Sequence, residues 1–301
     1  MTTLLDSAPL AGIALAVASA AALAVGNLLQ ARGVRAMEDG AAHGAGGSKV
    51  GHLVRNRFWL IGAALLGVAI VLQMGSLTFA PLMVVQPIGV TALVFTALMT
   101  SIFLRRAPSA PVIRAIAICV IGVTGFVTVA ALVSTQRAIT DVQLIAVLVV
   151  LAVVLVTTGI VWVIGRDRPT PPVLWVLLGG IYSAFVATLG KTVILRVQSV
   201  MKAGSFAWDV ADVLTIVCLL GIGLAGGLSI YFVQRAHAGN RPEVVVAGLT
   251  VVDPAVAVVL GITILGEAST APVWAFFAFA AAGAVAIGGV FALSRAESVQ
   301  V

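Results

Sequence analysis

In the stretch "VVDPAVAVVLGITILGE", Val251 to Glu267, an acid and a proline stand side by side inside an otherwise apolar run. A carboxylate in such surroundings is a proton acceptor, a cation ligand or one half of an ion pair. Pro254 has no N–H to donate, so the carbonyl of Thr250 one turn earlier becomes a second free acceptor beside Asp253. Together they offer a site for a proton, a cation or an amine, and a structural ion pair is the competing reading. Lys191, in "TLGKTV", is the other charge within an apolar run. It either snorkels to a polar boundary or pairs with Asp253 in one conformation and releases it in another.

Amide side chains are the remaining candidates. Asn27 and Gln30, three apart, share a helical face, and Gln73 and Gln234 are a second pair of interest. Such groups can hydrogen-bond a substrate, but they also join transmembrane helices to each other. Pro87 frees the carbonyl of Met83 and marks a helix break, and its neighbour Gln86 reads as a packing residue. Gly223 and Gly227 form a GxxxG, read as a close helix contact. The histidines, His43, His52 and His237, are read as loop residues without ligand spacing, so no metal site is expected unless Asp253 itself holds one. No cofactor motif is present.

The elements that must position these groups are membrane spans. Of 301 residues, 61% are hydrophobic and 9% charged, and the mean hydropathy is +1.18. About 20 apolar residues cross a bilayer as a helix, whereas barrel strands would alternate over about 10. The predicted architecture is all-α and integral to the membrane, with about nine spans: Pro9 to Val34, Phe58 to Phe79, Pro81 to Leu104, Pro111 to Val133, Val142 to Ile164, Pro172 to Leu195, Val210 to Val233, Pro242 to Leu265 and Pro272 to Leu293. Residues 1–301 form one transporter-like domain. Residues 37–56, rich in glycine, are expected to be a flexible cytoplasmic loop. Asp253 then lies about 18 Å along its helix, near the middle of a ~30 Å core. The N-terminus lacks a basic region, and its apolar run is read as a retained first helix.

Thirteen of the 17 Lys and Arg residues fall on one side of this scheme, including Arg105, Arg106, Arg166, Arg168, Arg235 and Arg241. By the positive-inside rule that side is cytoplasmic in a plasma-membrane protein, with the N-terminus outside and the C-terminus inside. Trp59, Trp162 and Trp175 sit near the inner interface, and Trp208 and Trp274 near the outer one. The basic residues are spread over loops, which excludes a nucleic-acid patch. Cys119 and Cys218 lie in apolar runs and read as small buried hydrophobes.

An ungapped shift of 161 residues pairs Gln73 with Gln234, Pro81 with Pro242, Leu104 with Leu265, Pro111 with Pro272 and Gly122 with Gly283. Spans two to four thus repeat as spans seven to nine. Five helices separate the copies, so the second runs through the membrane in the opposite sense. An inverted-topology repeat, 9–133 against 142–294, is an architecture of secondary transporters, where substrate binds near the midplane between the halves. Arg106 pairs with Glu267 in this register, an acid replacing a base where the positive-inside bias ends.

"GNLLQARGVR" (Gly26 to Arg35), "SLTFAPLMVVQPIGVTALVFTALMTSIFLRR" (Ser76 to Arg106) and "TLGKTV" resemble the NIPA-like branch of the drug/metabolite transporter superfamily over nearly the whole chain. The second half, with Asp253-Pro254 ahead of Gly266-Glu267, looks more like the EamA-type branch. The resemblance implies a nine-helix carrier, and for NIPA-like members it implies magnesium. The chain departs from the NIPA-like pattern at Asp253 and in the "FLRR" that ends its first repeat.

No HExxH, Ser/His pair or cluster of acids at one depth is present, so an enzyme is not expected. The spans are too apolar for a polar-lined channel. The expectation is a secondary carrier for a small organic metabolite or cationic drug, proton-coupled or exchange-driven through Asp253. Magnesium transport is the alternative, with Asp253 as its one carboxylate ligand, and a non-transporting structural membrane protein is the reading from another class. The partners are the lipid bilayer and the substrate, with a homodimer left open.

Overall fold

Inside hydrocarbon, backbone N–H and C=O groups find no water, so a chain of this composition must satisfy them within helices. The computed structural model describes residues 9–41, 56–103, 109–135, 139–164, 171–203, 210–239 and 242–298, and the regular structure among them is helical. The helices are α1 (Pro9–Ala41), α2 (Arg57–Phe79), α3 (Leu82–Gly89), α4 (Thr91–Phe103), α5 (Ala110–Val133), α6 (Asp141–Ile164), α7 (Pro172–Ala203), α8 (Val210–Gly239), α9 (Pro242–Thr263) and α10 (Val273–Ser298). Among the described residues, nine segments are long and apolar enough to cross a membrane, with α3 and α4 sharing one of them. The chain is therefore a multi-pass helical membrane protein in its architecture.

Most starts have a local cause. Prolines open α1, α7 and α9, where the missing N–H is not needed, and Asn56 caps α2 by accepting from Phe58 and Trp59. The third expected span is two helices. Pro87 withholds its N–H, and the chain tightens into 3₁₀-type turns, with the Val90 N–H donating to Pro87 at 3.2 Å and the Leu93 N–H to Val90 at 3.1 Å. Pro254, by contrast, is carried inside a continuous α9. Three boundaries differ from expectation. The first helix runs on to Ala41, so 37–41 is helix rather than loop; 42–55, with His43 and His52, lie outside the described residues. His237 is in the last turn of α8, its Nδ1 2.9 Å from the Val233 carbonyl oxygen, not in a loop. Finally, α9 stops at Thr263, and residues 264–272 form a non-helical turn. Arg105, Arg106, Arg166, Arg168, Arg241 and Trp208 also lie outside the described residues.

Packing joins the helices in a simple scheme. α1 lies against α2 and also touches α3 and α4; α7 lies against α8 and also touches α9. α5 pairs with α10, α3 pairs with α9, and α6 leans on α7 and α8. Lipid tails are as apolar as leucine, so contact depends on close backbone approach at small residues. Gly26 and Gly62 sit against each other where α1 crosses α2, and Ser19 Oγ donates to the Ala69 carbonyl there at 2.7 Å. Between α5 and α10, Gly122 abuts the backbone of Ala286, and Gly289 abuts that of Cys119. The expected GxxxG contact is not made: Gly223 and Gly227 face outward with open space beside them, and α8 meets α7 through Gly221 instead.

Gly289→Leu should therefore overpack the α5–α10 crossing and cost ~1–3 kcal/mol, read as a lower melting temperature in detergent. Gly227→Leu, on an open face, should leave it unchanged; equal losses in the two variants would show that the crossing is not close.

Candidate functional site

α9 brings its acid to the middle of the protein. Asp253 is the tenth residue of the 20-residue span Val244–Thr263. On α7, Gly180 lets the backbone of Val252 and Asp253 approach, and Ser183, one turn later, donates its hydroxyl to Asp253 Oδ2 at 2.6 Å. Asp253 Oδ1 is buried and has no hydrogen-bond partner. A carboxylate half-satisfied in this way costs ~1–3 kcal/mol for the open acceptor, so it is a place where a proton or a cation would be held.

Asp253 lies on the wall of a cavity of about 420 Å³ between α1, α2, α3, α4 and α9. Asn27, Gln73, Gln86, Thr96 and Thr250 share that wall with apolar residues such as Leu23, Leu93 and Leu249. Four of the residues singled out in the sequence, Asp253, Thr250, Asn27 and Gln73, are thus brought together. Gln86, read as a packing residue, joins them and is buried. Thr250 spends its hydroxyl on the Val246 carbonyl at 2.7 Å. A second, apolar cavity of about 450 Å³ lies on the other side of Thr250 and Pro254, lined also by Pro87, Phe126 and Phe279.

Other candidates go elsewhere. Gln30 packs over Gly62 at the α1–α2 crossing and does not line the cavity, and Gln234 is exposed on α8. Lys191 neither snorkels nor meets Asp253 in this structure. It is 1% exposed, and its Nζ donates to Glu267 Oε1 at 2.6 Å and to the Ala80 carbonyl at 3.2 Å. Glu267 is likewise not a surface acid. It is 3% exposed, and its two oxygens accept the N–H groups of Leu82 and Met83, each at 2.8 Å.

Local chemistry explains why the acid reaches this place. Pro81 offers no side-chain cap, so the first N–H groups of α3 are left open, and a carboxylate satisfies both donors and the positive end of the helix. Gly266, at φ +68°, turns the chain back after α9, and a side chain at Gly261 would lie 2.9 Å from Glu267 Oε2. The Glu267 N–H donates to Gly261 at 3.0 Å, and its carbonyl accepts from Thr135 at 2.9 Å. Gln143 of α6 donates to the carbonyls of Ile264 and Leu265 at 3.2 and 3.0 Å. One end of the bundle is thereby tied shut by groups from five elements. The cavity lies away from that tie: Asn27 and Leu249 stand toward the opposite end of their helices, and Thr96 toward the opposite end of the span that α3 and α4 share.

Nothing in the sequence singles out Ser183 or names a partner for Glu267. A signal for Glu267 existed in its setting, an acid after the only left-handed glycine turn among the described residues. Ser183 carried none. Among the described residues, no three His, Cys, Asp or Glu side chains gather to hold a metal.

Breaking a buried ion pair from one side leaves a charge without its partner and costs ~3–5 kcal/mol, while replacing both ends costs far less. Lys191→Met should therefore lower the thermal stability sharply, and Lys191→Met with Glu267→Gln should recover much of the loss. Additive losses in a double-mutant cycle would rule out a coupled pair. No family model, no curated protein and no solved structure matches this chain.

Proposed function

We propose that the chain is a secondary active carrier that moves a small organic metabolite or cationic drug across a cell membrane, with Asp253 as the group that holds substrate and proton in turn. The observation that carries this reading is the half-satisfied carboxylate at mid-span, on the wall of a cavity whose other polar groups are amides and hydroxyls. Its ~420 Å³ lies within the usual range for small-molecule sites, roughly 300–1,000 Å³. Amides fix orientation by hydrogen bonds, apolar neighbours take the rest of the molecule, and the single acid favours a positive charge.

The same geometry supports alternation between the two sides. The pairing of α1 with α2 and α4 is echoed by that of α7 with α8 and α9, while α3 pairs with α9 and α5 with α10 across the halves. This supports two inverted repeats, 9–133 and 142–294, and membership of the drug/metabolite transporter superfamily. In the proposed orientation the N-terminus is outside, the tied end faces outward and the cavity is directed to the cytoplasm. Reaching the outward-open state then requires Lys191, Glu267 and the start of α3 to separate. The break at Val90 and the proline in α9 supply places where α3 and α9 can bend.

Magnesium is the second reading. The cavity wall offers Asp253 with several amide and hydroxyl oxygens and space for retained waters, as a hydrated divalent cation needs. Flux in proteoliposomes separates the two. A pH gradient should drive uptake of an organic cation, and Asp253→Asn should cut it at least about tenfold, the worth of a lost charge-assisted contact. Ser183→Ala should reduce it by about fivefold. Magnesium uptake lost in Asp253→Asn, with organic solutes unmoved, would favour the second reading; flux of every solute unchanged in that variant would remove Asp253 from the mechanism.

A further inference from the structure

Away from the central cavity, a groove of about 600 Å³ runs between α6, α7 and α8. Its three walls descend together, from Trp162 to Leu155 on α6, from Trp175 to Tyr182 on α7 and from Arg235 to Leu228 on α8. Each wall covers eight residues, seven steps of 1.5 Å or about 10 Å. The upper residues stand at the ends of their spans: Trp162 beside Val163, Trp175 beside Val173, and Arg235 two before His237. The mouth therefore lies at the boundary between headgroups and hydrocarbon, where tryptophan and tyrosine prefer to sit, and the body lies among acyl chains.

The body is built to hold something apolar. Phe232 stacks between Trp175 and Tyr182, with ring centroids 5.8 and 5.6 Å apart, and the Tyr182 hydroxyl closes the floor by bonding Thr158 at 2.9 Å. At Gly159, on the α6 wall, a Cβ would meet nothing within 4 Å, so the groove is left wide where any other residue would narrow it. The mouth is built to hold an anion. Arg235 lies over the rings of Trp175 and Tyr231, 5.6 and 5.7 Å from their centroids, and its Nε donates to the Tyr231 hydroxyl at 3.2 Å. Among the described residues no carboxylate pairs with it. A guanidinium held by aromatic faces keeps its other N–H groups for a planar or tetrahedral oxyanion.

An oxyanion at the interface above a 10 Å apolar slot describes one kind of molecule. We propose that this groove binds an anionic phospholipid, its phosphate on Arg235 and one acyl chain lying between α6 and the α7–α8 pair. Basic pockets between transmembrane helices bind such headgroups. The lipid completes the packing of α6, whose opposite end is already tied by Gln143. This site shares no lining residue with the central cavity and stands apart from any transport reading.

The test uses the purified full-length chain, stripped of lipid in detergent and titrated with phosphatidylglycerol or phosphatidylcholine of identical chains, with retained lipid read by native mass spectrometry. Phosphatidylglycerol should bind about fivefold tighter or more, the equivalent of ~1 kcal/mol. Arg235→Gln should reduce it to the level of phosphatidylcholine, and Gly159→Leu, which fills the slot, should weaken both lipids. Equal retention of the two lipids by the native chain, or undiminished phosphatidylglycerol in Arg235→Gln, would overturn the headgroup assignment. Retention unaffected by Gly159→Leu would overturn the acyl slot, and displacement of bound lipid by equimolar inorganic phosphate would reduce the site to a bare anion site.

Discussion

Glu267 answers three donors at once, the first two N–H groups of α3 and the ammonium of Lys191, in a place that water does not reach. Each of these groups would be expensive alone. A buried ammonium or carboxylate without a partner costs several kcal/mol, and an uncapped helix start inside protein leaves donors unmet. Together they satisfy one another, and the arrangement joins α7, the α2–α3 turn and the turn after α9 at a single point. Much else follows from this constraint: the depth at which α3 begins, the short length of α9, and the closure of one end of the bundle over the central cavity.

Asp253 shows the opposite use of the same side-chain chemistry. Glu267 has both oxygens engaged, whereas Asp253 has one bonded to Ser183 and one unmet. A fully satisfied network rigidifies; a partly satisfied one leaves an acceptor available to whatever enters. The two acids are 14 positions apart in sequence, yet their surroundings leave one fully engaged and the other with an open acceptor.

The membrane architecture was readable along the chain because each span is a local property. Twenty apolar residues bounded by proline, glycine or charge make a helix across a bilayer wherever they occur, and the nine expected spans correspond to nine among the described residues. Four of the candidate polar residues also converge on one cavity, as the cost of polar groups among lipid favours, although Gln234 stays exposed on α8. The misses have a common origin. GxxxG at Gly223 shows that two small residues can approach a helix without showing on which side that helix stands. Gln86 reads as packing because nothing in the sequence shows which face of α3 lies against the cavity. Ser183 is one serine among many until Gly180 brings α9 against it.

What the sequence alone determined, then, is which segments are helices, where Asp253 lies along its own, and that its charge needs an answer. Hydrophobicity and proline chemistry act within a few residues, and that range suffices. The tertiary structure decided which charges meet. Lys191 stood equally ready for Asp253, and Glu267 equally ready for solvent, until the left-handed turn at Gly266 and the open start of α3 brought an acid to the lysine. Pairing between residues 76 positions apart depends on the path of the chain between them, and in a low-dielectric interior the strength of the pairing depends on how close that path brings the two charges.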